Sequence, residues 1–238
     1  MKLIYKCFAE ALGAFAIVFL GCGAVSVAQI FPEAINHLGV AFAFGLVVMV
    51  MIYGAGHISG AHFNPAVTIA FTFTRHFPAR QVIPYIASQI AGATFGAFLL
   101  KTSLTPILHL HIPEAVLNLA VTLPVDGLFL TALIWEFILT FMLMYVIMAV
   151  ATDYRAEGSG AGLAIGGIIA LEALVGGPIC GASMNPARSI GPALISGDFQ
   201  LLWCYIVAPV SGAVCAALFY QLFKCSTNEE NQQIKGCC

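Results

Sequence analysis

Two short segments that share three residues are the first candidates for chemistry in this chain. The shared residues are Asn64-Pro65-Ala66 and Asn185-Pro186-Ala187. An Asn side-chain oxygen at a helix start accepts from the free N–H groups of the first turn, and Pro is favoured at the next position. Each tripeptide therefore predicts the start of a helix. Its Asn keeps amide N–H groups that can donate to the oxygen of a passing molecule.

The chain that carries these segments is too apolar for a soluble protein. Of its 238 residues, 61% are hydrophobic and 8% are charged, whereas soluble domains carry about 25% charged residues. A membrane-spanning helix needs roughly 20 mostly apolar residues. The sequence predicts six such helices, at about 5–30, 38–56, 82–103, 127–151, 161–176 and 200–222. The apolar runs after Asn64 and Asn185 are only about 11 residues long, about 16 Å of helix, and predict two half-helices.

The two halves of the chain repeat one another. With an offset of 121, "GHISGAHFNPAVTIAF" (56–71) matches "GPICGASMNPARSIGP" (177–192) at eight of sixteen positions. Upstream, Glu10 in "AEALGAF" corresponds to Glu136 in "WEFILTF". Since each copy has three spans, the second copy enters the membrane from the opposite side, which makes an inverted repeat. We expect one pore domain with repeats at 1–115 and 116–223, followed by a cytoplasmic tail at 224–238.

Gly-rich approaches to both Asn residues predict irregular backbone inside the membrane. Such backbone is tolerated only where it is buried in protein or lines a watery cavity. Two half-helices that meet start to start each place about half a positive charge there, which repels cations and protons. The sequence therefore predicts a polar path for neutral molecules. We expect Glu10 and Glu136 to support the irregular loops by accepting their N–H groups. Glu172 could do the same or could line the path.

Charge and composition exclude several classes of protein. Lys101 falls on one side of the membrane, and seven cationic residues fall on the side of the termini: Lys2, Lys6, Arg75, Arg80, Arg155, Lys224 and Lys235. This asymmetry predicts that both termini are cytoplasmic. The net charge of −2 carries no nucleic-acid signal. Cysteine spacing predicts no metal site, no cofactor is expected, and the loops supply no set of nucleophile, base and oxyanion donors for an enzyme.

Together these features resemble the aquaporin family, the major intrinsic proteins. Both Asn-Pro-Ala segments, both Glu residues, Arg188 three positions after Asn185 and the six-span layout match over essentially residues 5–222. The resemblance implies an all-α fold, in which a right-handed bundle of six tilted helices holds two half-helices. It also implies a channel in every subunit of a homotetramer. Carried over by spacing, its selectivity filter falls at Phe44, Ala173, Ala182 and Arg188.

The filter residues indicate which solutes should pass. Water-selective members of the family usually have a His at the position of Ala173, so Ala there and at Ala182 should widen the filter. The stretch "GGPICGASMNPARSIGPAL" resembles the nodulin-26-like subgroup and its bacterial relatives, which tend to be permissive. We expect a passive channel in the plasma membrane for water and small uncharged solutes such as glycerol, urea or metalloid hydroxides. A strictly water-selective aquaporin and a secondary transporter, which can also use broken helices in inverted repeats, are the alternatives.

Overall fold

The computed structural model of the chain describes residues 1–153 and 160–223. All regular secondary structure in these ranges is helical and neither range contains a strand, which confirms the predicted all-α fold. The α-helices are α1 (Leu3–Ala16), α2 (Gly23–Ile30), α3 (His37–Ser59), α4 (Pro65–Phe73), α5 (Val82–His111), α6 (Phe129–Thr152), α7 (Ala161–Cys180), α8 (Pro186–Ser196) and α9 (Cys204–Gln221). The predicted tail at 224–238, with Lys224 and Lys235, and Arg155 lie outside the described residues.

Six helical segments are long and apolar enough to cross a membrane, which confirms the predicted number of spans. They are Leu3–Ile30, His37–Ser59, Ala79–His111, Phe129–Thr152, Ala161–Cys180 and Cys204–Gln221. The first span is α1 and α2 joined by a π-helical turn, Ile17–Cys22. The two remaining helices, α4 and α8, have nine and eleven residues. Each is too short to cross a bilayer.

The third span is longer than the sequence indicated. It was expected to end near residue 103, but α5 continues through Pro106 to His111. The polar residues at this point do not break the helix, because their hydroxyl groups bond to its own carbonyl groups. Ser103 Oγ donates to Leu99 O at 2.5 Å, and Thr105 Oγ1 donates to Lys101 O at 2.6 Å. The sixth span is shorter than expected and begins at Cys204.

Close helix crossings in the first half recur in the second half. Gly92 of α5 packs against the backbone of Ala11 in α1, and a Cβ atom at Gly92 would overlap Ala11 O. Gly212 of α9 packs in the same way against Phe137 O in α6. The offsets between these residues, 120 and 126, are within one residue of the offsets of the sequence repeat, 121 and 126. The contacts therefore follow the duplication, while the repeat boundary at residue 115 stays a prediction.

Both half-helices are preceded by the same sharp change of direction. Helix α3 ends at Ser59 and is followed by Gly60 with a φ of 93°, and α7 ends at Cys180 and is followed by Gly181 with a φ of 84°. Glycine adopts this left-handed conformation without the steric penalty of a Cβ atom. The last carbonyl of each helix accepts from a tyrosine. Tyr85 Oη donates to Ser59 O, and Tyr205 Oη donates to Cys180 O.

Candidate functional site

Asn64 and Asn185 are the N-caps of the two half-helices. Asn64 Oδ1 accepts from Ala66 N at 2.9 Å. Asn185 Oδ1 accepts from Ala187 N at 3.0 Å and from Arg188 N at 3.3 Å. Both Asn residues have extended backbone, with φ values of −150° and −149°, and both are followed by Pro at the first helical position. The local chemistry of Asn-Pro therefore sets where each half-helix begins.

Each Asn side chain also bonds to the loop of the other half. Asn64 Nδ2 donates to Met184 O at 2.7 Å, and Asn185 Nδ2 donates to Phe63 O at 2.9 Å. An amide nitrogen carries two hydrogens, so one hydrogen of each Asn holds the opposite loop and the other is left for a bound molecule. Sequence reasoning missed this pair of crossed bonds, because they join residues 120 and 122 positions apart.

Glu10 is buried beside the first loop and accepts four hydrogen bonds. Its Oε1 accepts from Ser59 Oγ at 2.6 Å and from His62 N at 3.0 Å. Its Oε2 accepts from Phe63 N at 2.6 Å and from Gln89 Nε2 at 2.7 Å. Two of these donors are backbone groups of the irregular segment that leads to Asn64, and such groups would otherwise be unpaired inside the membrane.

Glu136 makes the corresponding contacts in the second half. Its Oε1 accepts from Ser183 N at 2.7 Å and from the Cys180 thiol at 3.5 Å, and its Oε2 accepts from Met184 N at 2.7 Å. Met184 has a φ of 53° and Phe63 a φ of 51°, a conformation that costs roughly 1–2 kcal/mol for residues other than glycine. Each of these two residues is held by its N–H on a Glu and by its C=O on the opposite Asn.

A cavity runs past the two Asn residues. It is lined by all four residues predicted for the filter, Phe44, Ala173, Ala182 and Arg188, and by both Asn64 and Asn185. Most of the remaining wall is apolar and includes Val48, Ile52, Val67, Leu143, Ile147 and Ile165. The hydrogen-bond donors of the cavity are therefore concentrated at a few points, and the rest of its wall is apolar, as in other small-molecule sites.

Arg188 contributes a charged group to the cavity wall. Its guanidinium carbon lies 5.2 Å from the centroid of the Phe44 ring, within the range of a cation–π contact. Nη1 donates to Ala120 O at 2.6 Å. Within the described part of the chain, Nε has no hydrogen-bond partner although Arg188 is only 5% exposed. The arrangement leaves a fixed, buried N–H donor beside an aromatic ring.

The Ala120 carbonyl belongs to an irregular segment that sequence reasoning did not assign to the site. Ser26 Oγ donates to Asn118 O at 2.7 Å, and Asn118 N donates to Gln29 Oε1 at 2.7 Å. Farther along, Thr122 Oγ1 donates to Ser189 Oγ at 2.9 Å. These bonds fix the segment on both sides of Ala120, whose φ of 56° is left-handed. No motif in the sequence marks this carbonyl group.

Glu172 lies beside Ala173 in α7, but of the two it is Ala173 that lines the cavity. Glu172 is 3% exposed, and in residues 1–153 and 160–223 neither of its carboxyl oxygens has a hydrogen-bond partner. The structure thus places this acid behind the wall. Among the described residues, no group of three or more His, Cys, Asp or Glu side chains could hold a metal ion.

A helical bundle that crosses the membrane six times and encloses a passage of this kind defines a multi-pass membrane channel. The major intrinsic protein family matches residues 1–220, and the chain belongs to this family. Its members are channels and not enzymes, which confirms the predicted class and disfavours the secondary transporter.

Several plant proteins are similar over nearly the whole chain. Aquaporin NIP1-1 of Oryza sativa subsp. japonica is 50% identical over 234 residues, which cover 98% of this chain and 79% of the relative. Nodulin-26 of Glycine max is 43% identical over 224 residues, covering 94% and 79%. The predicted resemblance to the nodulin-26-like subgroup is therefore confirmed. The X-ray structure of the aquaglyceroporin from Plasmodium falciparum has a TM-score of 0.82 and 25% identity, covering 92% of this chain and 96% of that one.

Proposed function

We propose that the chain is a passive channel for water and for small uncharged polyols such as glycerol, and that Phe44, Ala173, Ala182 and Arg188 form its filter. The observation that carries this proposal is the composition of the cavity wall, where two alanines stand beside one aromatic ring and one guanidinium group. The names of the relatives, which include aquaporins and an aquaglyceroporin, are consistent with it.

A polyol matches this wall in both of its chemical parts. The C–H face of a glycerol molecule packs against the Phe44 ring, and its hydroxyl oxygens accept from the Arg188 guanidinium group, which lines the cavity beside that ring. Urea and metalloid hydroxides are also small, neutral and rich in oxygen acceptors, so the same donors serve them. Ala173 and Ala182 supply space and no polar group. An imidazole at either position would occupy that space and add a donor that favours water.

Charged species are excluded in two places along the cavity. The Arg188 guanidinium repels cations at the filter. Farther in, the N-termini of α4 and α8 each contribute about half a positive charge. The free amide hydrogens of Asn64 and Asn185 orient a passing water as an acceptor, so it cannot relay a proton to its neighbours. Glu10 and Glu136 serve this arrangement as supports of the two loops and have no direct contact with the solute.

The experiment that tests the solute range compares water and glycerol in proteoliposomes by stopped-flow light scattering. Vesicles with the wild-type protein should shrink rapidly in glycerol and then re-swell rapidly. Ala173→His should lower glycerol permeability by at least about tenfold, which corresponds to roughly 1.4 kcal/mol, and should change water permeability much less. Ala173→Gly is the matched control, since it changes the same site without narrowing it.

Rapid shrinkage of wild-type vesicles without re-swelling would identify the alternative, a strictly water-selective aquaporin. In that case the proposed roles of Ala173 and Ala182 would be wrong. Equal glycerol rates in the wild type and in Ala173→His would leave the water and glycerol channel intact but would place its filter elsewhere.

The assembly and its orientation complete the proposal. We propose a homotetramer in the plasma membrane with both termini in the cytoplasm and a separate channel in every subunit. The excess of cationic residues such as Lys2, Lys6, Arg75 and Arg80 on one side supports this orientation. An epitope added before Met1 should be labelled only after the cells are permeabilised. The detergent-solubilised protein should sediment with four chains of 25.2 kDa, and a single chain would contradict the tetramer.

A further inference from the structure

We propose that Gly21, in the first span, sets the width of the filter by providing the space in which the Phe44 ring lies. This inference rests on the proposed function, because it assumes that Phe44 borders the narrow part of the channel. It adds a positioning residue that has no polar group and that lies outside every motif of the sequence.

The ring of Phe44 lies directly against the backbone of Gly21. A Cβ atom built on Gly21 would be 2.6 Å from both Phe44 Cδ1 and Cε1, and 3.2 Å from Cγ. Carbon atoms in ordinary contact are about 3.5–4.0 Å apart. The aromatic ring therefore occupies the space that any other side chain at position 21 would need.

The local helix geometry changes at the same place. Gly21 belongs to the π-helical turn Ile17–Cys22, which interrupts the α-helix of the first span. One-turn π segments are rare and often occur at functional sites. Another residue of this turn, Ile17, lines the cavity. The turn thus brings Ile17 to the passage and the bare backbone of Gly21 to the Phe44 ring.

The residue that follows Phe44 already touches α7, which limits how far the ring can move together with its helix. Gly45, which follows Phe44, packs against Gly166 O of α7, and Gly166 packs in turn against Gly45 O. Because these two backbones already touch, α3 cannot shift toward α7. A methyl group at position 21 must instead displace the nearest atoms of the Phe44 ring by about 1 Å to restore an ordinary carbon contact. The ring lines the cavity, so this movement narrows the passage beside Arg188.

The test is Gly21→Ala, measured in the full-length protein in proteoliposomes with water, urea, glycerol and a four-carbon polyol. We expect glycerol permeability to fall by about tenfold or more, a change of roughly 1.4 kcal/mol, and permeability to the larger polyol to disappear. Water permeability should fall less. The matched control is Gly167→Ala in α7, where an added Cβ atom has no neighbour within 4 Å.

A double-mutant comparison shows whether the effect passes through the ring. In a Phe44→Leu background, the further change Gly21→Ala should leave the ratio of glycerol to water permeability unchanged, because the ring it displaces is absent. A purely structural role for Gly21 predicts that Gly21→Ala lowers the ratio of glycerol to water permeability equally in both backgrounds. An equal loss in both, or a Gly21→Ala protein that behaves like Gly167→Ala, would overturn the proposal.

Two further outcomes also decide the matter. If Gly21→Ala does not reach the membrane, Gly21→Ala/Phe44→Leu should restore it, and failure of the double variant would mean that Gly21 contacts something more important than Phe44. If the wild type excludes glycerol, the proposed solute range fails. The Gly21 proposal is then tested with water flux, which should fall in Gly21→Ala and be unaffected by that change in the Phe44→Leu background.

Discussion

Replacing Glu10 by Gln tests whether the buried carboxyl group holds the first irregular loop. The side chain keeps its shape but exchanges one acceptor oxygen for an NH₂ donor. Each oxygen of Glu10 faces one backbone N–H group that cannot turn away, His62 N on Oε1 and Phe63 N on Oε2, and Oε2 also accepts from the Gln89 amide. In its better orientation the amide nitrogen replaces Oε1. The Ser59 hydroxyl can then become an acceptor, but the His62 N–H loses its partner.

One buried N–H left without an acceptor costs about 1–3 kcal/mol. We therefore expect Glu10→Gln to lower the unfolding temperature of the detergent-solubilised protein, while the exposed Glu33→Gln leaves it unchanged. Glu10→Ala should be more harmful than Glu136→Ala. Glu10→Ala leaves three N–H donors without an acceptor, whereas Glu136→Ala leaves two N–H donors and a weak thiol donor without one.

Heat-denaturation curves followed by intrinsic fluorescence would measure both comparisons, with water permeability of the same preparations as a second readout. If Glu10→Gln and Glu33→Gln unfold at the same temperature, the four contacts of Glu10 contribute nothing to the stability of the loop and the reasoning is refuted. If Glu136→Ala is the more damaging of the two alanine variants, counting unpaired donors does not describe how these loops are held.

Two further variants examine the filter and the acid behind it. Arg188→Ala should still reach the membrane but should admit larger solutes and leak cations, measured as dye-reported ion flux into vesicles; unchanged solute rates with ions still excluded would remove Arg188 from the filter. Glu172→Gln loses no hydrogen bond seen in the described residues and replaces a buried acid by a neutral amide, so the unfolding temperature should not fall and the ratio of glycerol to water permeability should stay the same. A lower unfolding temperature would show that the carboxyl group has a partner, and an altered ratio would place Glu172 in the filter.

The parts of the fold that depend on local chemistry could be predicted from the sequence. Long apolar runs indicated the six spans, since burying backbone in lipid leaves few other structures. Asn64 and Asn185 indicated the starts of the half-helices, because an Asn before a Pro is a capping pattern in any protein. The end of α5 was wrong because the polar residues around Ser103 bond to the helix itself, and polarity alone does not reveal that.

The parts that depend on distant contacts could not be predicted. Ile17–Cys22 is as apolar as its neighbours, so no periodicity distinguishes its π-helical turn from α-helix. The acceptor for Arg188 is a backbone carbonyl, Ala120 O, and every residue has one. The partners of the Asn side chains are also carbonyl groups. Such interactions arise only when the chain has folded. The donor can be recognised by its residue type, but a backbone carbonyl acceptor cannot, because every residue has one.

The crossed bonds between the half-helices have a consequence for how the protein is made. The amide of Asn64 bonds to the carbonyl of Met184, which is synthesised 120 residues later. At about 5–20 residues per second, the first loop waits roughly 6–24 seconds for that partner. During this interval the first loop is held only by contacts within its own half, such as those of Glu10 and Tyr85, and a nascent chain stopped before its second half has no complete loop pair. Neither half of the chain can therefore complete the centre of the channel without the other, because each Asn amide bonds to a carbonyl group of the opposite half.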